Sequence, residues 1–293
     1  MRLGSIFMVT ALAACGHGLP GGTSVPGGGS VPGGMPGGSS GEVDPDTCGN
    51  YAAQDAGMKL KAFLTATKSL DATLVETAKV VKESCLTMGH ELAMGDADLA
   101  GDDTKKICDA VFAKFQDNLK VGLKAGAKLA IKYTPGKCTV DASAGASASG
   151  GCAGGASAGN GGASGGGQCA AAAQVNASVN AQCTPPELTV EAGAKIVVDK
   201  SKIDADIAAM KDGIPKLLSV SYRLQPLQAA VQTWAASLKD LQAMGPKFVQ
   251  SFGDQAMCIS GQIAAAANAS TRIQANVSVS VSVSASASGS VGG

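Results

Sequence analysis

SKIDADIAAMKDGIPKLLSVSYRLQPLQAAVQTWAASLKDL, residues 201–241, carries a long apolar stripe that points to a mainly helical protein. Ile203, Ile207, Met210, Ile214, Leu217, Leu224, Leu227, Val231, Trp234, Leu238 and Leu241 recur at steps of three, four or seven, the spacing that lines one face of an α-helix. The stripe keeps its phase across Pro215 and Pro226, so the stretch reads as one kinked helix rather than three pieces. Ser201-Lys202-Ile203-Asp204 has the form of a capping box at its start.

Upstream, Asn50 to Leu92 reads as a second long helix, with Leu60, Phe63, Leu64, Leu70, Leu74, Val81, Cys85 and Met88 in helical register. At ~1.5 Å per residue it would run about 65 Å. The acidic turn Gly95 to Asp103 breaks it. Another helix is predicted from Thr104 to about Lys132, through Ile107, Val111, Phe112, Phe115, Leu119, Leu123 and Leu129, and Thr134-Pro135-Gly136 stops it. Downstream of residues 201–241, Gly245-Pro246 is a turn. Phe248, Phe252, Ile259 and Ile263 then line a fourth helix to about Ala269.

The rest is poorer in large side chains. Residues 142–186 carry no charge, and two parts of them alternate like strands: Val140 to Ala148, and Val175 to Ala181, with a Gly-rich loop between. Leu188-Thr189-Val190 and Lys195 to Val198 suggest further short strands. In the tail, Val277, Val279, Val281 and Val283 alternate with serines, which predicts a strand within 273–288. The expected fold is mainly α with a small β part. It is an elongated four-helix bundle of two hairpins, capped by an antiparallel Ala/Val/Ser-rich sheet where the second and fourth helices finish. A single body would span 47–293, with the β insert at 138–199.

The N-terminus reads as an address. Met1 and Arg2 precede an uncharged, mostly apolar stretch, Leu3 to Ala14, shorter than the ~20 residues a membrane-spanning helix takes. It closes on Leu12-Ala13-Ala14-Cys15, which resembles the lipobox of bacterial lipoproteins: a branched apolar residue, two small residues, then cysteine. The resemblance covers only about fifteen residues. It implies a signal peptide over 1–14, lipid on Cys15 as the membrane anchor, and residence in the cell envelope. Gly16, where an aspartate would imply inner-membrane retention, leans towards the outer membrane. Residues 15–46 would then be the lipidated cysteine and a Gly/Pro-rich tether, with the near-repeats Ser24-Val25-Pro26-Gly27-Gly28 and Ser30-Val31-Pro32-Gly33-Gly34.

Composition bounds the function. Equal numbers of acidic and basic residues leave no bulk charge to recruit nucleic acid or an anionic membrane surface. Nine cysteines are an odd number, and lipidation of Cys15 leaves eight for disulfides in an oxidising compartment, with metal binding or free thiols as the alternatives. No C-x-x-C spacing favours a metal, and His17 and His90 stand alone. An antiparallel hairpin pairs Cys85 with Cys108, the strands flanking the Gly-rich stretch pair Cys152 with Cys169 if they are neighbours, the sheet end pairs Cys138 with Cys183, and Cys48 is left with Cys258.

Asp96, Asp98, Gly101 and Asp102 match parts of a calcium loop, but Ala100 and Ile107 stand where ligands five and twelve belong. Helix capping by Asp102 or Asp103 is the plainer reading. Trp234 lies on the apolar stripe and reads as core. No P-loop, HExxH or GxSxG pattern occurs, and no cofactor or catalytic residue is expected. The expected role is a non-enzymatic structural or protein-interaction module, partnered by the membrane through Cys15 and by another envelope protein or a second copy. The alternatives are a bundle that carries a lipid or small apolar ligand, and an enzyme of unrecognised type.

Overall fold

The computed structural model describes residues 42–145 and 166–292. In chain order they form α1 (Asp55–Glu91), α2 (Asp96–Leu99), α3 (Thr104–Gly122), β1 (Ala130–Thr134), β2 (Lys137–Thr139), α4 (Gly166–Val179), β3 (Gln182–Thr184), β4 (Glu187–Glu191), α5 (Lys200–Ala243), α6 (Gly245–Gln250) and α7 (Ala256–Gly292). The protein is mainly α with a small antiparallel β part. The expected signal peptide, Cys15, the expected tether as far as 41 and the Gly-rich stretch with Cys152 lie outside the described residues.

Residues 201–241 lie within one 44-residue helix that contains both Pro215 and Pro226. Each proline removes a backbone donor at a cost of about 3 kcal/mol in a helix interior. The apolar stripe offsets it: Ile203, Met210, Ile214, Leu217, Leu224, Leu227 and Trp234 are all about 1% exposed or less. The helix starts earlier than the sequence suggests. Asp199, not Ser201, is its cap, accepting from the Lys202 amide at 3.2 Å, while Asp204 pairs with Lys200 at 2.5 Å.

Three long helices form the frame. The Trp234 indole donates to Thr67 Oγ1 at 2.8 Å, and Gly213 lies against Met88, so α5 runs antiparallel to α1. Ser284 Oγ donates to Leu217 O at 3.2 Å, which fixes α7 on α5. Cys258 is bonded to Cys48 just before α1, and Arg272 clasps Asp71 with contacts of 2.5 and 3.1 Å, so α7 runs parallel to α1. At one end α4 fills the groove between α1 and α5. Gly167 O accepts from Ser237 there, and Ser178 donates to Pro226 O.

Several expectations need correction. The tail is not a strand, and the fourth helix does not stop near Ala269, because α7 continues to Gly292. Its Ser and Val residues also have helical register: Ile273, Ser280, Val283, Ser284 and Ala287 are buried on one side. Extending a helix already formed over 256–269 carries no new nucleation cost. Likewise Val175 to Val179 belongs to α4, where Ala171, Ala172, Val175 and Ser178 are buried at helical steps and alanine favours the helix. Residues 142–145 form a helical turn rather than a strand, and 146–148 are outside the described residues. Residues 42–46, assigned above to the tether, pack on the body: Val43 is 3% exposed and the Asp44 amide donates to Gln262 at 2.8 Å.

The second helix ends at Gly122, ten residues early, and does not fold back along α1. The intervening turn folds back instead, placing Leu99 on Gly89 and Asp102 near Lys82. From Cys108, bonded to Cys85, α3 leads towards the first turns of α5, where Gly122 meets Ile203. The β part is two separate ladders rather than one sheet. β1 pairs with β4 from Ala130 opposite Glu191 to Thr134 opposite Glu187, and β2 pairs with β3 with Cys138 opposite Cys183. Lys195 to Val198 contributes only a bridge, Leu123 opposite Val197.

Candidate functional site

The feature best suited to hold a ligand arises where α3 stops. A Cβ on Gly122 would sit 2.7 Å from Ile203 Cδ1, so a side chain there would displace the Ile203 side chain where α3 meets α5. The Gly122 carbonyl accepts from the Val198 amide at 2.8 Å, the Lys124 amide donates to Ile196 O at 2.9 Å, and Gly126 turns the chain at φ +76°. The outer face of α3, this loop, the start of β1 and the last turns of α7 enclose an open groove of about 940 Å³. Its floor is apolar: Phe112, Phe115, Leu119, Leu123, Leu129 and Ile131. Ser286 and Gly289 of α7 form the opposite wall, and Asp109, Lys120, Lys124 and Lys128 stand at the rim. Asp109 is matched by Lys105 at 2.6 Å and Lys120 by Asp117 at 3.0 Å. Among the described residues, no ion pair engages Lys124 or Lys128.

On the inner side of α3, Asn118 donates from Nδ2 to Asp206 Oδ1 at 3.0 Å. Asp206 is fully buried, and its Oδ2 has no partner among the described residues. Burial pushes the carboxyl up to about 7, against the opposing pull of the Asn118 hydrogen bond and the Lys114 charge. The group is therefore largely protonated at mildly acidic pH, which lowers the cost of an orphaned oxygen in the core.

The sequence-derived residues fall as follows. Disulfides join Cys48 to Cys258, Cys85 to Cys108 and Cys138 to Cys183, the partners expected from the sequence. Cys169 is also disulfide-bonded, while Cys152, its expected partner, lies outside the described residues, as does Cys15. In the acidic turn, Asp103 accepts from the Lys106 amide at 3.0 Å as the cap of α3, and Asp102 faces Lys82 at 3.3 Å. Asp96 and Asp98 are exposed on α2. Among the described residues, no three His, Cys, Asp or Glu side chains are placed to share a metal ion. His90 is exposed in the last turn of α1, and Trp234 is core, stacked on Phe63 with ring centroids 6.1 Å apart.

The groove and the buried carboxyl were not singled out by sequence reasoning. Gly122 and Gly126 were the available signal for the groove, since two glycines four apart weaken a helix drawn through to Lys132. For Asp206 the signal was phase: it lies three residues after Ile203 and four before Met210, inside the buried stripe. No helix among the described residues is long and apolar enough to cross a membrane. Compared with protein-family models, with curated proteins and with solved structures, the chain matches none.

Proposed function

We propose that the protein is an envelope lipoprotein, anchored through lipid on Cys15, whose disulfide-braced helical body serves as a non-enzymatic structural or protein-interaction module. The observation that carries this reading is the set of disulfides, above all Cys48–Cys258, which links residues 210 apart. Such bonds persist in oxidising compartments and are rare where thiols are kept reduced. The Leu12-Ala13-Ala14-Cys15 segment supplies the route there, and the outer membrane is the favoured destination. Partners on this reading are the membrane, through the lipid, and another envelope protein or a second copy. Replacing Cys15 with serine is expected to abolish acyl labelling and release the protein from the membrane fraction. Retention of Cys15→Ser through a carbonate wash would refute the anchoring.

The groove beside α3 supports a second reading, a carrier of a lipid or small apolar ligand. Its size is within the ~300–1,000 Å³ of small-molecule sites. Native mass spectrometry of protein released without detergent tests it, and a ligand-free mass throughout the population counts against it.

A further inference from the structure

We propose that the groove between α3, the 123–129 loop and the last turns of α7 binds a free fatty acid, with its hydrocarbon on Leu119, Leu129 and Ile131 and its carboxylate at Lys124 and Lys128. This rests on the carrier reading and names its ligand class and site. It does not depend on the lipid at Cys15.

The groove exists because its two walls are unequal. Phe112, Phe115 and Leu123 are buried beneath the groove, but Leu119, Leu129 and Ile131 stay part-exposed, because the facing turns of α7 carry serine, alanine and glycine, too small to reach them. A Cβ on Gly289 would meet nothing within 4 Å. The wall from Asp109 to Leu123 runs about 21 Å at ~1.5 Å per residue. One acyl chain fills half of a ~30 Å bilayer core, so the wall is long enough for a single chain. Charge chooses the head group. The acid at the rim, Asp109, already has Lys105, and Lys120 has Asp117, which leaves Lys124 and Lys128 to meet an anion. Lysine suits the task, since its stem lies along apolar surface while its ammonium stays at the mouth. A neutral ligand would leave those cations unused, and a cationic one would be repelled.

The test is a titration of the full chain carrying Cys15→Ser, without detergent, with palmitate below its micellar concentration, followed by calorimetry. Saturable one-to-one binding is expected. Combined Lys124→Glu and Lys128→Glu is expected to weaken it by about tenfold or more, and Gly289→Leu, which fills the groove, to abolish it. Far-UV circular dichroism checks that each variant is folded. If Gly289→Leu does not fold, the charge reversal alone decides. Palmitate binding that neither change disturbs would overturn the groove assignment while leaving the carrier reading standing, and no palmitate binding would overturn the proposal, the carrier reading then falling only if native mass spectrometry also finds no bound ligand. Equal affinity for hexadecyltrimethylammonium, or binding to phosphatidylglycerol vesicles but not to free palmitate, would also overturn the proposal.

Discussion

Asp206 shows what one side chain does to the whole energy balance. Unfolded, its carboxyl titrates near 3.9, whereas in the fold it sits at about 7. Between those values the folded state holds a proton that the unfolded chain has released, so stability falls as pH rises through this window and levels off above it. The slope from this one group is about 1.4 kcal/mol per pH unit. Asp206→Asn keeps an acceptor for Asn118 and cannot ionise. Urea denaturation should find the variant close to the parent near pH 4 and clearly more stable than it at pH 8. Parallel pH profiles for the two proteins would show that Asp206 does not carry the dependence. The sequence held this residue in plain view, in phase with Ile203 and Met210. A carboxylate is expected to face water unless something shows otherwise, so phase alone does not mark it as buried. The reverse happened at the start of α5, where Ser201 and Asp204 satisfied a motif but Asp199, two residues earlier, holds the amide. Cap motifs place a helix start to within a residue or two, and no better.

At the scale of elements, the long helices were legible and the small-residue segments were not. The stripes of α1 and α5 consist of large side chains whose spacing admits one period. In 273–288 every residue on the buried side is small or β-branched, and alternation of Val with Ser satisfies period two while also placing buried residues at helical steps. Strand preference is largely a matter of what the element packs on, and here α1 and α5 offer a helical slot. Some α7 serines satisfy their hydroxyls within the helix by bonding back one turn, as Ser288 does to Ser284 O at 2.9 Å. Ser282→Pro separates the two conformations. In the helix it removes a bond to the Ser278 carbonyl and clashes with it, which should cost about 3 kcal/mol or more by denaturant titration. A loss below about 0.5 kcal/mol would mean that the segment is not helical. The ends of α3 and the β ladders failed for a related reason. Leu123 and Leu129 extend the helical pattern beyond Gly122, but there the Leu123 backbone turns extended and the Gly122 carbonyl and Lys124 amide bond to Val198 and Ile196 instead of continuing the helix.

For the molecule as a whole, helix directions and disulfides explain each other. The pairing of Cys85 with Cys108 was drawn from a hairpin that does not exist, yet it holds because the 92–103 turn returns the chain to the flank of α1 before α3 begins. In the chain-entropy account, closing 210 residues with Cys48–Cys258 contributes about 5 kcal/mol and closing 23 with Cys85–Cys108 about 3 kcal/mol. Removing the first pair with alanines should therefore lower the melting temperature more than removing the second. The opposite order would place the stabilisation in local packing around Cys85 rather than in loop closure.

The bond between Cys48 and Cys258 also decides how the body answers tension. A pull applied between residues 42 and 292 reaches Cys48, crosses one sulfur–sulfur link and enters α7, bypassing everything between. Only roughly forty residues can then pay out, about 140 Å of chain, whereas the reduced protein would release several times that length. α1, α3, α4 and α5 sit inside a covalent ring that carries no load. What pays out under force is residues 42–47 and α7, the helix built of valine, serine and alanine.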